Sequence, residues 1–304
     1  MNKVYAIVVT HNGEKWINRC IGSLIQSSVP LDILVIDNCS KDGTLKCIRE
    51  KYQSIKIIEQ KKNIGFGRAN NIGFNFALEN RADFVFLLNQ DAWISIDTIE
   101  KLIKAFQYDD QFGIISPLHF NGSGIELDFL FHVYLSKQFM RNRKTISNLL
   151  LQKDLNRPYE ISFVNAAAWM LKKKTIIRVG GFDPIFTHWG EDNNYINRLK
   201  SKRMKVGVCF KAKAFHDREG NLNNRESFFK DYYFRSLLNK ILDPNNSFGI
   251  RKAKKIVLVD SIRGIATLNF SKVVKSAKAF QKICDLSAEI EKRAIVYKKE
   301  KCFL

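Results

Sequence analysis

A chain of 304 residues with 45% hydrophobic and 12% aromatic content can bury a large core, which excludes an intrinsically disordered protein. Fifty Lys and Arg against 30 Asp and Glu leave a formal charge of +20, a self-repulsion usually tolerated for solubility or for attraction to anions. The six cysteines form no C-x-x-C pair and no metal-finger spacing, which excludes a disulfide framework or zinc finger and reads as reduced thiols in a cytosol.

The first apolar run, residues 4–9 (VYAIVV), is too short for a signal-peptide core and is β-branched, so it reads as a strand. Residues 13–28 then space Trp16, Ile17, Cys20, Leu24 and Ile25 at helical intervals. The grammar repeats: a strand at 31–37 (LDILVID), a turn, and a helix capped by Ser40 or Asp42; then a strand at 55–60 and a helix at 68–79. A fourth strand lies in DFVFLLNQDAW (83–93), followed by a helix at 97–107 and a strand at 112–120. Residues 121–157 have mixed periodicity and read as an insertion. Beyond them come a strand-like stretch at 159–173, a short helix ended by Gly180 and Gly181, a helix at 190–202 opening with acids, and a last strand pair in MKVGVCFKAKAFHD. No apolar run approaches the roughly eighteen residues of a membrane-spanning helix, so the chain is expected to be soluble or peripheral.

Strands alternating with helices predict an α/β domain with a parallel sheet covered on both faces, and ligands in such sheets sit beyond the carboxyl ends of the strands. Those ends are polar or acidic here: Thr10 and Asn12, Asp37 and Asn38, Asn63, then Asn89 and Asp91. Asn38, Ser40 and Asp42 suit a helix cap and turn. Asp37 lies one step too early for the cap and can accept an imide N–H, as from uracil or thymine. Asn89-Gln90-Asp91 puts one oxygen ligand and one carboxylate on a single turn, suited to a divalent ion whose remaining ligands are phosphate and water. Glu191 and Asp192 open a helix, where carboxylates favour the positive dipole end, and together with His188 and Trp189 they resemble a pocket rim holding a base. His216 follows the last body strand, and no other histidine combines with it into a zinc spacing. GFGRANNIG (65–73) lacks an acid about 20 residues on at a strand end, which excludes nicotinamide binding, and no P-loop occurs.

VVTHNG, ILVIDNCSKDGT, NIGFGRANNIGF, FVFLLNQDAWI, FVNAAAWMLKK, GGFDPIFTHWGEDNNYINRL and AFHD together resemble, in order and spacing, the family 2 inverting glycosyltransferases, most of all the bacterial rhamnosyl and galactofuranosyl branch. The likeness covers about residues 3–220. It implies a GT-A fold, Rossmann-like and mainly parallel, over residues 1–219, with a nucleotide-sugar half at 1–95 and an acceptor half at 96–219. It implies a nucleotide diphosphate sugar donor, dTDP-rhamnose or a UDP-sugar, held by Thr10, Asn12, Asp37, Asn63, Asn89 and Asp91. Asp91 and His216 match the ligands of Mg²⁺ or Mn²⁺, although Asn89 stands where the family's first acid would be. The family's acid pair falls on Glu191 and Asp192, with Asp192 as general base and Trp189 beside the acceptor. The product is expected in bacterial surface polysaccharide synthesis, on a glycan or lipid-linked acceptor.

Residues 220–304 read as a basic helical extension: from 219 onward 18 Lys and Arg meet 9 Asp and Glu, about twice the charge density of the body. Aromatic and apolar spacing in 227–241 predicts docking of this tail onto the body. The basic, apolar-interleaved stretch 251–283 suits an anionic membrane surface at the inner face of the cell membrane. Two rival classes remain: a sugar-nucleotide-forming nucleotidyltransferase, for which the basic phosphate loop after the first strand is missing, and a non-catalytic nucleic-acid or membrane binder. The second leaves the acids at the strand ends without a purpose, so nucleic acid is not expected as a partner.

Overall fold

In the computed structural model, which describes residues 2–139, 143–153, 155–187, 189–217 and 231–304, β1 (Val4–Thr10) feeds two cores at once. Val4, Ala6 and Val8 face one, and Tyr5 and Ile7 the other, because successive strand side chains alternate across the sheet. Burying each of the valine and isoleucine side chains contributes about 1.5–3 kcal/mol. α1 (Glu14–Ile25) covers the first face with Ile17, Cys20, Ile21 and Leu24, a stripe at helical spacing. β2 (Asp32–Asp37), α2 (Thr44–Lys51) and β3 (Lys56–Glu59) continue the alternation, and α3 (Phe66–Glu79) crosses to the opposite face with Ala69, Phe74 and Ala77. At Gly73 an added Cβ would lie 2.7 Å from Ile7 Cγ2, so the helix rests directly on β1.

β4 (Phe84–Asn89) pairs parallel with β1, as β2 does on its other side, and β3 pairs parallel with β2. The expected parallel sheet holds for these four strands. Beyond them it is mixed. After β5 (Ala92–Ile94), α4 (Thr98–Ala105) and β6 (Phe112–Asn121), the chain enters α5 (Phe129–Phe139) and α6 (Arg143–Leu150), which occupy the stretch without assignable periodicity. The strand-like stretch 159–173 divides into β7 (Tyr159–Glu160) and β8 (Ala168–Lys172), the latter antiparallel to both β4 and β6. α7 (Lys173–Val179) and α8 (Glu191–Ser201) then pack on the α3 face.

The expected last strand pair is instead one strand, β9 (Lys205–His216). It runs parallel to β6 with a register break where Pro117 pairs Cys209 and Leu118 pairs Lys213, so the extra residues bulge instead of turning back. The nine strands among the described residues order as β3-β2-β1-β4-β8-β6-β9-β5, with β7 beside β9. The cap expected for α2 from Ser40 or Asp42 differs: Gly43 is the N-cap and makes no side-chain cap bond, although Asp42 Oδ1, one residue before it, accepts from Thr44 N at 3.1 Å, and Ser40 Oγ accepts from Asn12 N and serves the neighbouring loop.

Among the described residues four helices follow: α9 (Tyr232–Ile241), α10 (Ile250–Ala266), α11 (Phe270–Asp285) and α12 (Ser287–Val296). The boundary expected between 219 and 220 lies outside the described residues. Leu238 of α9 and Leu242 just past its end pack with Phe186, Ile290 and Tyr297, which docks the extension on the body. Charge adds a second fastening. Asp183, fully buried, accepts from Arg293 Nε at 2.9 Å and from the Tyr297 hydroxyl at 2.7 Å. Buried Arg198 donates to the carbonyls of Val179 and Gly181, each at 2.6 Å, where α7 ends and its dipole is negative. All six cysteines are free. No helix among the described residues is long and apolar enough to cross a membrane.

Candidate active site

Register aligns the ends of the parallel strands. Thr10 pairs Asp37 and Val9 pairs Asn89, so all three polar residues reach one edge of the sheet. The loops beyond that edge are stitched together. Asn38 N donates to Thr10 O at 2.7 Å, and Asn38 Oδ1 accepts from Ile64 N at 2.8 Å. Asn12, in a left-handed turn at φ 51°, donates its amide to Ser40 Oγ and accepts from Lys41 N through Oδ1. Asn63 is exposed and accepts from Gly65 N in a local turn. Asp37 is 1% exposed; its Oδ2 accepts from Ser40 N at 3.0 Å, and its Oδ1 has no hydrogen-bond partner. A buried acceptor left unpaired costs about 1–3 kcal/mol, which a ligand N–H would offset.

The turn after β4 carries the second group. Asn89 Oδ1 is also buried without a partner. Gln90 folds back onto β1: its Oε1 accepts from Thr10 Oγ1 and His11 N, both at 2.8 Å, and its Nε2 donates to His11 O at 3.1 Å. This locks the β1 and β4 loops together, a role hidden in the sequence because a mid-turn glutamine carries no spacing signal. Asp91 Oδ1 lies 3.2 Å from His216 Nε2, and Asp217 N donates to Asp91 O at 2.9 Å. His216 is 4% exposed, with Asp128 Oδ2 at 3.9 Å from its Nδ1. Asp128 was also missed; it lies in the insertion, where its Oδ1 accepts from Phe131 N at 2.9 Å at the start of α5.

Two oxygen or nitrogen ligands on adjacent vertices of an octahedral ion with bonds near 2.1 Å would be separated by about 3 Å, and Asp91 and His216 fit that spacing. Among the described residues no three His, Cys, Asp or Glu side chains group as a complete cage. An ion held here would therefore take its other ligands from phosphate and water.

The acid pair sits at the start of α8, after Trp189 and Gly190 in left-handed conformations at φ 67° and 95°. Glu191 is buried, and its Oε2 has no hydrogen-bond partner. Burial, then the Asp192 charge, pushes its carboxyl up to about 8, against the pull of Arg235 on α9. Asp192 is half-buried and accepts from Asn193 N at 2.8 Å. Glu191 thus keeps its proton at neutral pH, and Asp192 is the more solvated of the two. Arg235 was not anticipated, because nothing in the sequence links α9 to α8.

Two glycines pack the start of α3 against the segment that leads into this pair. An added Cβ at Gly65, where φ is 86°, would lie 2.6 Å from Thr187 O, and one at Gly67 would lie 2.9 Å from Phe182 Cβ and 3.8 Å from Glu191 Cβ. The loop after β3 therefore touches the segment that leads into α8. Thr10, Asn12, Asp37, Asn89, Asp91 and His216 are linked through the bonds described above, whereas Glu191 meets only the start of α3, through Gly67. His188 lies outside the described residues.

The model of the family described as "Glycosyl transferase family 2" matches residues 5–177. The chain is 29% identical over 232 residues to glycosyltransferase GlyA of Streptococcus pneumoniae, covering 73% of this chain and 32% of GlyA, so it spans about a third of that relative. It is 22% identical over 214 residues to the N-acetylglucosaminyl-diphospho-decaprenol L-rhamnosyltransferase of Mycobacterium tuberculosis, covering 64% and 69% of the two chains. The structure of Staphylococcus aureus TarS 1–349 in complex with UDP-GlcNAc superposes with a TM-score of 0.59 at 15% identity, covering 97% of this chain and 89% of that one. At that identity the match speaks to the fold alone, a mixed α/β sheet flanked by helices in the GT-A arrangement expected from the sequence.

Proposed function

The chain belongs to glycosyl transferase family 2, and on that premise we propose that it moves a sugar, with inversion, from a nucleotide diphosphate sugar to a hydroxyl of a glycan or lipid-linked acceptor. The observation that carries this reading is a pair of buried oxygens without hydrogen-bond partners, Asp37 Oδ1 and Asn89 Oδ1, at the carboxyl ends of β2 and β4, the two strands that flank β1. Such atoms call for a polar ligand beyond that edge.

Asp37 receives the imide N–H of a pyrimidine base on its free oxygen, while its other oxygen stays fixed by Ser40 N. Thr10 and Asn12 hold the neighbouring loops in place for base and ribose, and Asn63 lines the nucleotide. Asn89 orients the diphosphate. Asp91 and His216 would hold Mg²⁺ or Mn²⁺, which when bound supplies positive charge against the departing diphosphate. Asp192 takes the proton of the acceptor hydroxyl as that oxygen attacks the face opposite the leaving group, and Glu191, protonated beside it, keeps a second negative charge out of the pocket. Trp189 offers a flat apolar surface for the acceptor ring. No covalent enzyme intermediate is needed for a direct displacement.

Residues 1–219 form the catalytic domain in this reading, with the donor half in 1–95. The donor is dTDP-rhamnose or a UDP-sugar, supported by the rhamnosyltransferase relative, and the product belongs to bacterial surface polysaccharide. That relative's name includes a decaprenol-linked acceptor, which supports a lipid-linked acceptor here, with the basic C-terminal region against the anionic inner face of the cell membrane. A thermal-shift panel of dTDP-rhamnose, UDP-galactofuranose, UDP-GlcNAc and GDP-mannose, with Mn²⁺ or with chelator, tests the proposal. Saturation at a hundred times Kd stabilises by about 2.7 kcal/mol, so one donor should raise Tm by several degrees. A panel in which no nucleotide sugar shifts Tm would overturn it.

A further inference from the structure

α10 and α11 form a hairpin that hides small residues and shows large ones. Ala253, Val257 and Gly264 of α10 pack against α11, which buries Ser276, Ala279 and Ile283; an added Cβ at Gly264 would lie 2.8 Å from Val273 Cγ2. The outward face carries Leu258 at 57% exposure, Ile262 at 57% and Ile265 at 64%, spaced i, i+4, i+7 so that they share one side of the helix. Leu268 at 78% and Phe270 at 76% extend this surface around the turn, and Val274 at 50% continues it one turn into α11. Six large apolar side chains in a row at one tip are more than scattered surface residues and mark a place of contact.

Charge identifies the contact. Arg263 and Lys275 are exposed beside the tip, and Arg251, Lys255 and Lys278 are exposed farther along the two helices. The one acid in the sequence from 250 to 283 is Asp260, and it points inward, where it accepts from the Tyr233 hydroxyl at 2.7 Å and pairs with Lys272 Nζ at 3.1 Å. A second copy of the chain seated on this face would set two like-charged rims against each other. A bilayer of anionic lipid supplies both an apolar interior for the tip and negative headgroups for the rim. Neither helix is long and apolar enough to cross it.

We infer that the α10–α11 tip, led by Ile265, Leu268 and Phe270, is the element that docks this chain on an anionic lipid bilayer by shallow insertion. This rests on the membrane-facing reading above and assigns it to particular residues. Because Tyr233 and Leu237 of α9 pack on the same hairpin, and Arg235 of α9 acts on Glu191, the docked surface is one helix removed from the acid pair.

Co-flotation of the full chain with vesicles of phosphatidylcholine alone, and of phosphatidylcholine mixed with phosphatidylglycerol, tests the assignment in the wild type, in Leu268→Ser/Phe270→Ser and in Lys275→Glu/Lys278→Glu. The wild type should float with the anionic vesicles and not the neutral ones, and each double variant should bind them at least about tenfold more weakly, the first by withdrawing two inserted side chains and the second by setting two negative charges against the anionic headgroups. Equal binding by wild type and both variants would overturn the tip while sparing the membrane-facing reading. Absence of wild-type binding would overturn both. A wild-type dimer that dissociates in Leu268→Ser/Phe270→Ser, with no vesicle binding, would reassign the face to a second copy. The nucleotide-sugar shift is measured on the same proteins; the tip variants should retain it, and its absence from all of them would count against the transferase reading alone.

Discussion

Arg293 and Asp183, 110 positions apart in the chain, are joined at 2.9 Å with the carboxylate fully buried. The Tyr297 hydroxyl donates to the same carboxylate, and Asn194 Nδ2 of α8 donates in turn to that hydroxyl at 2.9 Å. The last helix is thereby tied to the helix that opens with Glu191 and Asp192. Asp183→Ala removes the acceptor and leaves Arg293 without its buried partner, an imbalance that costs about 3–5 kcal/mol. Urea unfolding should show a lower midpoint, and a midpoint within error of wild type would mean that the extension is held by its apolar contacts alone.

Asp192→Asn keeps the shape of the acid pair and removes the base. Turnover should fall by about 10²–10⁴-fold with donor affinity nearly unchanged. Normal turnover would move the base elsewhere, with Glu191 next in line.

Asp91→Ala opens the pair with His216. Calorimetric donor affinity measured in Mn²⁺ should then fall to the value seen with chelator, and the His216→Ala variant should follow in the same direction. Affinity that keeps its Mn²⁺ dependence in both variants would contradict the assignment of these two residues.

Glu191 holds its proton up to about pH 8 in the folded chain, against an ordinary value of 4.5. Between those pH values the unfolded chain loses a proton that the folded chain keeps, so stability is fully present below the lower value and falls as pH rises toward the upper one. Each pH unit in that window costs about 1.4 kcal/mol. Glu191→Gln should flatten the decline of Tm between about pH 5 and 8, whereas Arg235→Met, which removes an opposing positive charge, should raise the Glu191 pKa further. Parallel Tm profiles for wild type and the Gln variant would show that Glu191 is not the titrating group.

Gly65 combines φ 86° with ψ 163°, a region reserved for glycine, and faces the Thr187 carbonyl. Gly65→Ala should cost about 1–3 kcal/mol of stability. It should also push the β3 loop away from the start of α8, so that kcat drops more than thermal stability alone accounts for at a temperature where the variant stays folded. Full kcat would show that the two segments need not touch.

The first half of the fold was legible because its strands are apolar runs that stop abruptly on polar residues, and a run that stops marks both a buried strand and a rim. Thr10, Asp37, Asn89 and Asp91 could be placed for that reason alone. β9 was less legible because Lys211 and Lys213 break its pattern, and the bulge opposite Pro117 that accommodates them leaves no sequence mark. The insertion resisted reading because α5 is apolar nearly all round, so no stripe distinguishes its faces. Asp183 and Arg198 were invisible as core residues, since a charge in a sequence normally signals solvent. Gln90, Asp128 and Arg235 act through partners far along the chain, and no local pattern reports that.

Strands from both halves belong to a single hydrogen-bonded sheet, and Asn89 N donates to Ala167 O at 2.9 Å just where the parallel part meets the antiparallel part. Among the described residues there is no seam along which one half could swing against the other without tearing the ladder. Admission of substrates and exit of products must therefore be handled by the loops that crown the sheet, and turnover should respond to solvent viscosity and loop glycines far more than to anything that stiffens the strands beneath.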